Sequence, residues 1–252
     1  MSILALWLTL LFVLVTMLLS LWQKLRLEKD ILIAAMRTAV QLLAIGYILQ
    51  FIFDQEHMLF IILILVVMIT VAAWNAASRG KELRGLFWRV LSTIALTQGF
   101  TISFMLLLGV IEPTAQYIIP ISGMITGNAM VVSGLLINQM KRSIYHAIPE
   151  IELLLSLGAS NRQAVHNVLK NAVKSSMIPT IDAMRTVGLV QLPGMMTGMI
   201  IAGASPVEAV RYQILIMFSF SSSAALTSIL LGMFIYPMWF TKEGQVQRIK
   251  VE

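Results

Sequence analysis

Residues 58–77 read MLFIILILVVMITVAAWNAA: twenty positions without a single charge. A helix of about 20 apolar residues crosses the ~30 Å hydrocarbon core of a bilayer. Such a run cannot be a surface helix of a soluble domain, because it has no polar face to give to water. The rest of the chain agrees. Of its 252 residues, 58% are hydrophobic and 12% charged, against about 45–50% and about 25% in soluble domains. The apolar surplus must face lipid.

Outward from this run, further spans are predicted on both sides. Toward the N-terminus lie Ile3–Trp22, without charge, and Ile31–Phe53, which contains Arg37. Toward the C-terminus lie Leu91–Ile111; Ile118–Ile137, rich in Gly and Ser; Val187–Gly203, short and containing Pro193; and Tyr212–Phe234. The first segment lacks a basic leader and a small-residue cleavage site, so a retained anchor is expected rather than a signal peptide. The expectation is an all-α polytopic membrane protein of about seven helices, one permease domain over residues 1–252.

The cations order the loops. Lys24, Arg26 and Lys29 follow the first span; Arg79, Lys81, Arg84 and Arg89 follow the third. Lys141, Arg142, Arg162, Lys170, Lys174 and Arg185 lie between the fifth and sixth, and Lys242, Arg248 and Lys250 in the tail. The intervening loops have none. Cytoplasmic loops collect Lys and Arg, so the N-terminus is expected outside and the C-terminus in the cytoplasm. The net charge of +6 thus marks orientation and calls for no nucleic acid.

Residues 138–186 are the long polar stretch. Ile151, Leu154, Leu155 and Leu157 recur at helical spacing, with Pro149 near the start of that helix and Gly158 suited to its left-handed end. Asn161 is a candidate cap for a second helix through Val165, Val168 and Leu169. Glu150, Glu152, Leu157, Gly158, Ala159 and Ser160 therefore form a helix–turn element. It either docks in a groove of a partner protein or lies on the membrane surface. The stretch suits two amphipathic helices under the membrane, or extensions of the flanking spans.

Several polar or helix-breaking residues fall inside spans. Asn128 follows the Gly123–Gly127 pair and must hydrogen-bond within the protein, either at a helix contact or toward a substrate path. Pro193-Gly194 breaks or kinks its span, and such breaks persist only where protein or water satisfies the backbone. Gly194 and Gly198 form a small-xxx-small pair. The element is a packing kink or a movable pore-lining segment. Arg37, with Gln41 one turn on, faces either a bundle interior or, by snorkelling, the interface. Asp182 and Arg185 form a helical pair or gate the cytoplasmic mouth. Trp74-Asn75 fits an interfacial anchor. Seventeen methionines include Met124, Met130, Met195, Met196 and Met199. Thioethers are flexible fillers and soft metal ligands, and composition alone does not choose.

No cysteine is present, and His57, His146 and His166 are scattered. No GxSxG, HExxH or Walker A loop occurs. The expectation is not an enzyme, with any energy source outside this chain.

At these same residues the chain resembles a known family. Ala73-Trp74-Asn75-Ala76, the string Gly123-Met124-Ile125-Thr126-Gly127-Asn128-Ala129-Met130, the turn Ser156–Ser160 and the run Ile178–Gly198 are similar to the FetB/YbbM-type iron-export permeases, with plant aluminium-tolerance permeases as relatives. The similarity covers about Glu28 to Tyr236. It implies an ABC permease, a homodimer in a bacterial inner membrane, moving iron or another metal by alternating access. A separate cytoplasmic ATPase would carry ATP-Mg, and this chain would bind no cofactor. Metal ligands do not carry over. A secondary transporter or channel is the alternative.

Overall fold

The computed structural model describes residues 10–55, 57–241 and 243–247. Residues 3–9 of the first predicted span, Glu56 and the tail cations Lys242, Arg248 and Lys250 lie outside the described residues. The protein is a polytopic all-α membrane protein, and the described chain divides into two compact units, residues 1–57 and 58–252.

The first unit is a helical hairpin of α1 (Leu10–Trp22) and α2 (Glu28–Gln55). Ser20, buried at the turn, donates to Glu28 Oε1 at 3.0 Å and accepts from the Leu27 amide at 3.2 Å, which ties the first turn of α2 to the end of α1. Arg37 and Gln41 both sit on exposed turns of α2.

The second unit contains α3 (Met58–Ala77), α4 (Leu86–Leu107), α5 (Ala115–Ser156), α6 (Asn161–Ala164), α7 (His166–Thr186), α8 (Gly194–Ile201) and α9 (Pro206–Ile235). Among the described residues, α2, α3, α4, α5 and α9 are long and apolar enough to cross a membrane.

The sequence places a span at 118–137 and reads the polar stretch after it either as separate amphipathic helices or as extensions of the flanking spans. The structure joins them. α5 runs 42 residues without interruption, through both Pro120 and Pro149, so Pro149 lies inside a helix and does not open one. At 1.5 Å per residue α5 is ~63 Å long, about twice the hydrocarbon thickness. Its first half carries the apolar run, and its second half projects beyond the membrane. The second half stays tied to the main core: Ile144, Ile151, Ala164, Val165, Trp239, Phe240 and Val246 are buried in the same cluster as Ala73, Leu86, Val90 and Leu136. Trp239 and the turn after it brace α5 and α6.

The predicted span at 187–203 is likewise replaced. α7 turns back and packs antiparallel along α5 and α9; then Val187–Pro193 forms a short non-helical turn, bridged between Val187 and Gln191. The eight-residue α8 follows. Gly188, at φ +84°, makes the turn. Residues 166–201 are thus a broken helix, α7–turn–α8, that begins some twenty residues earlier than the apolar signal at 187–203. The helix expected through Val165, Val168 and Leu169 is present, but it carries no span signal because, beyond Val168, the residues it buries are the small Ala172, Ser176 and Thr180.

Those small residues set the packing. Ala172, Ser176 and Thr180 form a buried i, i+4, i+8 ladder on α7, and Ala224, Ser228 and Gly232 form its counterpart on α9. Ser176 and Ser228 meet at 3.0 Å. A Cβ on Gly232 would lie 2.7 Å from Leu169 Cδ1. Small-residue faces of this kind let backbones approach where the hydrophobic effect supplies no drive between helices.

Candidate functional site

Two places gather the predicted residues. The first is the tip where α5 meets α6. Ala159 N donates to Leu154 O and Gly158 N to Leu155 O, both at 3.0 Å. With Gly158 at φ +90° this is a Schellman ending, which satisfies the last carbonyls of α5. Ser160, not Asn161, caps the next helix. Its hydroxyl accepts from Gln163 N, and Gln163 Oε1 accepts from Ser160 N at 2.9 Å, a reciprocal capping box. The Ser-x-x-Gln spacing was visible in the sequence. A rigid corner results, and Leu153 and Leu157 stand exposed on it at 59% and 75%. Glu150 and Glu152 are exposed on the last turns of α5.

Below the tip, Lys141 of α5 meets Glu82 at 2.6 Å. That hydrogen bond holds the Glu82 carboxyl below its ordinary range. Nearby, Arg89 Nη1 donates to the Phe234 carbonyl at the end of α9.

The second place lies around Asn128. Its Nδ2 donates to Phe220 O at 3.1 Å and to Ser223 Oγ at 3.4 Å on α9, and its Oδ1 accepts from Thr180 Oγ1 of α7 at 3.4 Å. One amide ties three helices. Of the alternatives raised for Asn128, the helix contact is the one present. Asn128 is thirteen residues past Ala115, hence ~20 Å from that end of α5 and deep in the hydrocarbon layer.

The break between α7 and α8 sits close by. Met195 packs with Met124 against Ile102, Met105, Ile111, Ile121, Ile125 and Ile216. Met196 faces a cavity of about 350 Å³ shared with Met184, Gln213 and Met217. Gln213 is 6% exposed, and its Oε1 has no partner. Sequence inspection passed over Gln213, although a lone amide in an apolar span was there to be seen. A Cβ at Gly194 or Gly198 would meet nothing within 4 Å, so neither glycine is needed for a close helix approach within the subunit, unlike Gly232. Met130 packs on the main core. Asn75 is exposed at the end of α3, its carbonyl accepting from Ser78. Arg37 and Gln41 belong to the first unit. Asp182 and Arg185 pair at 3.5 Å, with side chains 58% and 73% exposed. Pro193 opens α8.

Comparison with known proteins follows this geometry. The family described as Uncharacterised protein family (UPF0014) matches residues 3–240. The UPF0014 membrane protein YjkA of Bacillus subtilis is 47% identical over 98% of this chain and 99% of its own length. The probable iron export permease protein FetB of Escherichia coli is 38% identical over 95% of this chain and 92% of its own. Protein ALUMINUM SENSITIVE 3 of Arabidopsis thaliana is 41% identical over 93% of this chain and 86% of its own. No solved structure matches. With the match running through the α5–α6 corner, the Asn128 junction and the broken helix, the chain belongs to the UPF0014 family of membrane proteins.

Proposed function

We propose that this protein is the membrane-spanning permease subunit of an ABC transporter, exporting iron or another metal from the cytoplasm. It acts as a homodimer in the bacterial inner membrane, with a separate ATPase that binds ATP-Mg and burns it. This chain carries out no catalysis and holds no cofactor. The observation that carries the reading is the α5–α6 corner: a helix end stiffened by a Schellman turn and a capping box, with Leu153 and Leu157 exposed on it. An element built as a lever needs something to push it. The relationship to a probable iron export permease supports the cargo class. The positive-inside bias puts the corner in the cytoplasm. ATPase closure moves the corner, α5 and α7 transmit the movement, and the turn at Val187–Pro193 gives alternating access.

Gly158→Trp tests this. A Cβ at Gly158 would meet nothing within 4 Å in the subunit, so apart from the backbone strain of its positive φ, which Gly158→Ala controls for, added bulk points away from the subunit's own packing. The variant should insert normally yet no longer stimulate the ATPase of the reconstituted pair. Gly158→Asn, which tolerates the left-handed backbone, should keep stimulation. Unchanged coupling in the Trp variant rejects the assigned role. An ion-coupled flux that needs no ATPase would favour the secondary transporter.

A further inference from the structure

Arg211 stands apart from the other cations. Among the described residues of the second unit, the remaining Lys and Arg lie within 79–89 and 141–185, while Arg211 is in the second turn of α9. It is exposed and forms no ion pair among the described residues, not even with Glu208 one turn earlier. At this end of α9, Glu208, Arg211 and Tyr212 give way to an apolar run, and Tyr212 hydrogen-bonds to Tyr117 near the start of α5. Tyrosines gather at membrane interfaces, so the guanidinium is placed at headgroup level.

The cavity beside the helix break begins at the same level. Its volume of about 350 Å³ falls in the range of ligand pockets. Its walls are apolar: Met184, Leu192 and Met196 face Ile214, Met217 and Phe218 of α9. The exception is Gln213, two residues or ~3 Å along the helix from Arg211. Gln213 is buried, and its Oε1 has no partner. A dry, unpaired acceptor carries a desolvation penalty that a donor removes. Leu192, Ile214 and Phe218 are exposed, so the cavity is open sideways, toward lipid. Arg211, Ile214 and Phe218 follow one another at i, i+3 and i+7, on one face of α9, which sets the guanidinium over the open edge.

We propose that this cavity holds an acyl chain of a phospholipid whose headgroup N–H or O–H donates to Gln213 Oε1 and whose phosphate pairs with Arg211. Each part of the ligand answers to one feature of the site. Apolar walls take hydrocarbon, and flexible thioether side chains adapt to a flexible chain. The orphan acceptor takes a donor, which a choline headgroup lacks. The exposed guanidinium matches the geometry of a phosphate. An empty apolar cavity destabilises in proportion to its volume, so the chain also supplies packing that the subunit does not give to the 187–193 turn. The lipid is thereby wedged where the helix between α7 and α8 is broken.

The test titrates the full chain in detergent with dioleoyl lipids and counts bound lipid by native mass spectrometry. Phosphatidylethanolamine and phosphatidylcholine are both zwitterionic and share the phosphate, but only the first has a headgroup donor. It should bind about tenfold more tightly, the scale of one hydrogen bond to a buried acceptor. Gln213→Met, close in size and apolar, should erase that preference and leave phosphatidylcholine binding unchanged. Arg211→Gln should weaken both lipids about equally. Glycerophosphoethanolamine, the same headgroup without chains, should compete with neither. Equal binding of the two lipids by the wild type needs no variant to be seen, and it overturns the assignment. So does a preference that survives Gln213→Met. Competition by the chainless headgroup reduces the site to one for a free phosphate, and also overturns it. The chain has no cysteine and Val210 lines the cavity. A disulfide between two Val210→Cys copies that added lipid does not prevent would give the cavity to a second subunit, and overturns it too. These readouts are independent of ATPase coupling and leave the export reading untouched.

Discussion

At Asn128 a single amide does the work of three contacts, bonding Phe220, Ser223 and Thr180 across two neighbouring helices. Removing one buried partner costs about 1–3 kcal/mol because the groups left behind stay dry and unpaired. Asn128→Leu should therefore lower stability by about that amount, read as an earlier unfolding midpoint in detergent, whereas Thr180→Val should cost less, since it deletes one long bond. The Glu82–Lys141 pair behaves differently. Its carboxyl is held below the ordinary range by the lysine, so the folded state favours the ionised form. Its contribution is complete above the unfolded carboxyl's pKa and fades as pH falls through the lower folded value. Exposed pairs are worth little, about 0–1 kcal/mol, so Glu82→Gln should shift the midpoint only slightly at neutral pH. The difference from wild type should vanish in acid.

At the scale of elements, the α7–α9 contact depends on size. Ser228 is fully buried against Ser176, and overpacking a tight core costs about 1–3 kcal/mol. Ser228→Leu should destabilise by that order and pry α7 outward, measurable as faster proteolysis within the 187–193 turn. Ser228→Ala should be milder, because it preserves the close approach. The α5–α6 corner has a conformational requirement instead. Gly158 at φ +90° accepts no ordinary side chain without strain, so Gly158→Ala should cost about 1 kcal/mol, and Gly158→Asn less. A circular-dichroism melt of the three proteins orders them.

For the whole molecule, the broken helix over 166–201 makes a topological prediction. Gly158 and Gly203 should lie on opposite sides of the bilayer, with the Gly158 corner inside the cell. Single cysteines introduced at these two positions in intact cells should label from outside only at Gly203. Labelling of both from one side would mean that α7 and α8 do not cross. The long α5 links these ends: its apolar half anchors the Asn128 junction, and its projecting half carries the corner, so a displacement at the tip reaches membrane depth through one uninterrupted helix.

The sequence by itself determined that the chain is a polytopic helical membrane protein and that residues near 158 turn sharply. Uncharged apolar runs, cation placement and a glycine at a helix end are local signals, and they act through solvent and backbone sterics alone. Tertiary structure decided where α5 ends, that α7 packs along α5 and α9, and which small residues make the contacts. The α7 ladder of Ala172, Ser176 and Thr180 has little hydropathy, so no window of sequence reveals it. Between helices in lipid the decisive term is close fit and paired polar groups rather than apolar area, and fit exists only once the partner helix is in place.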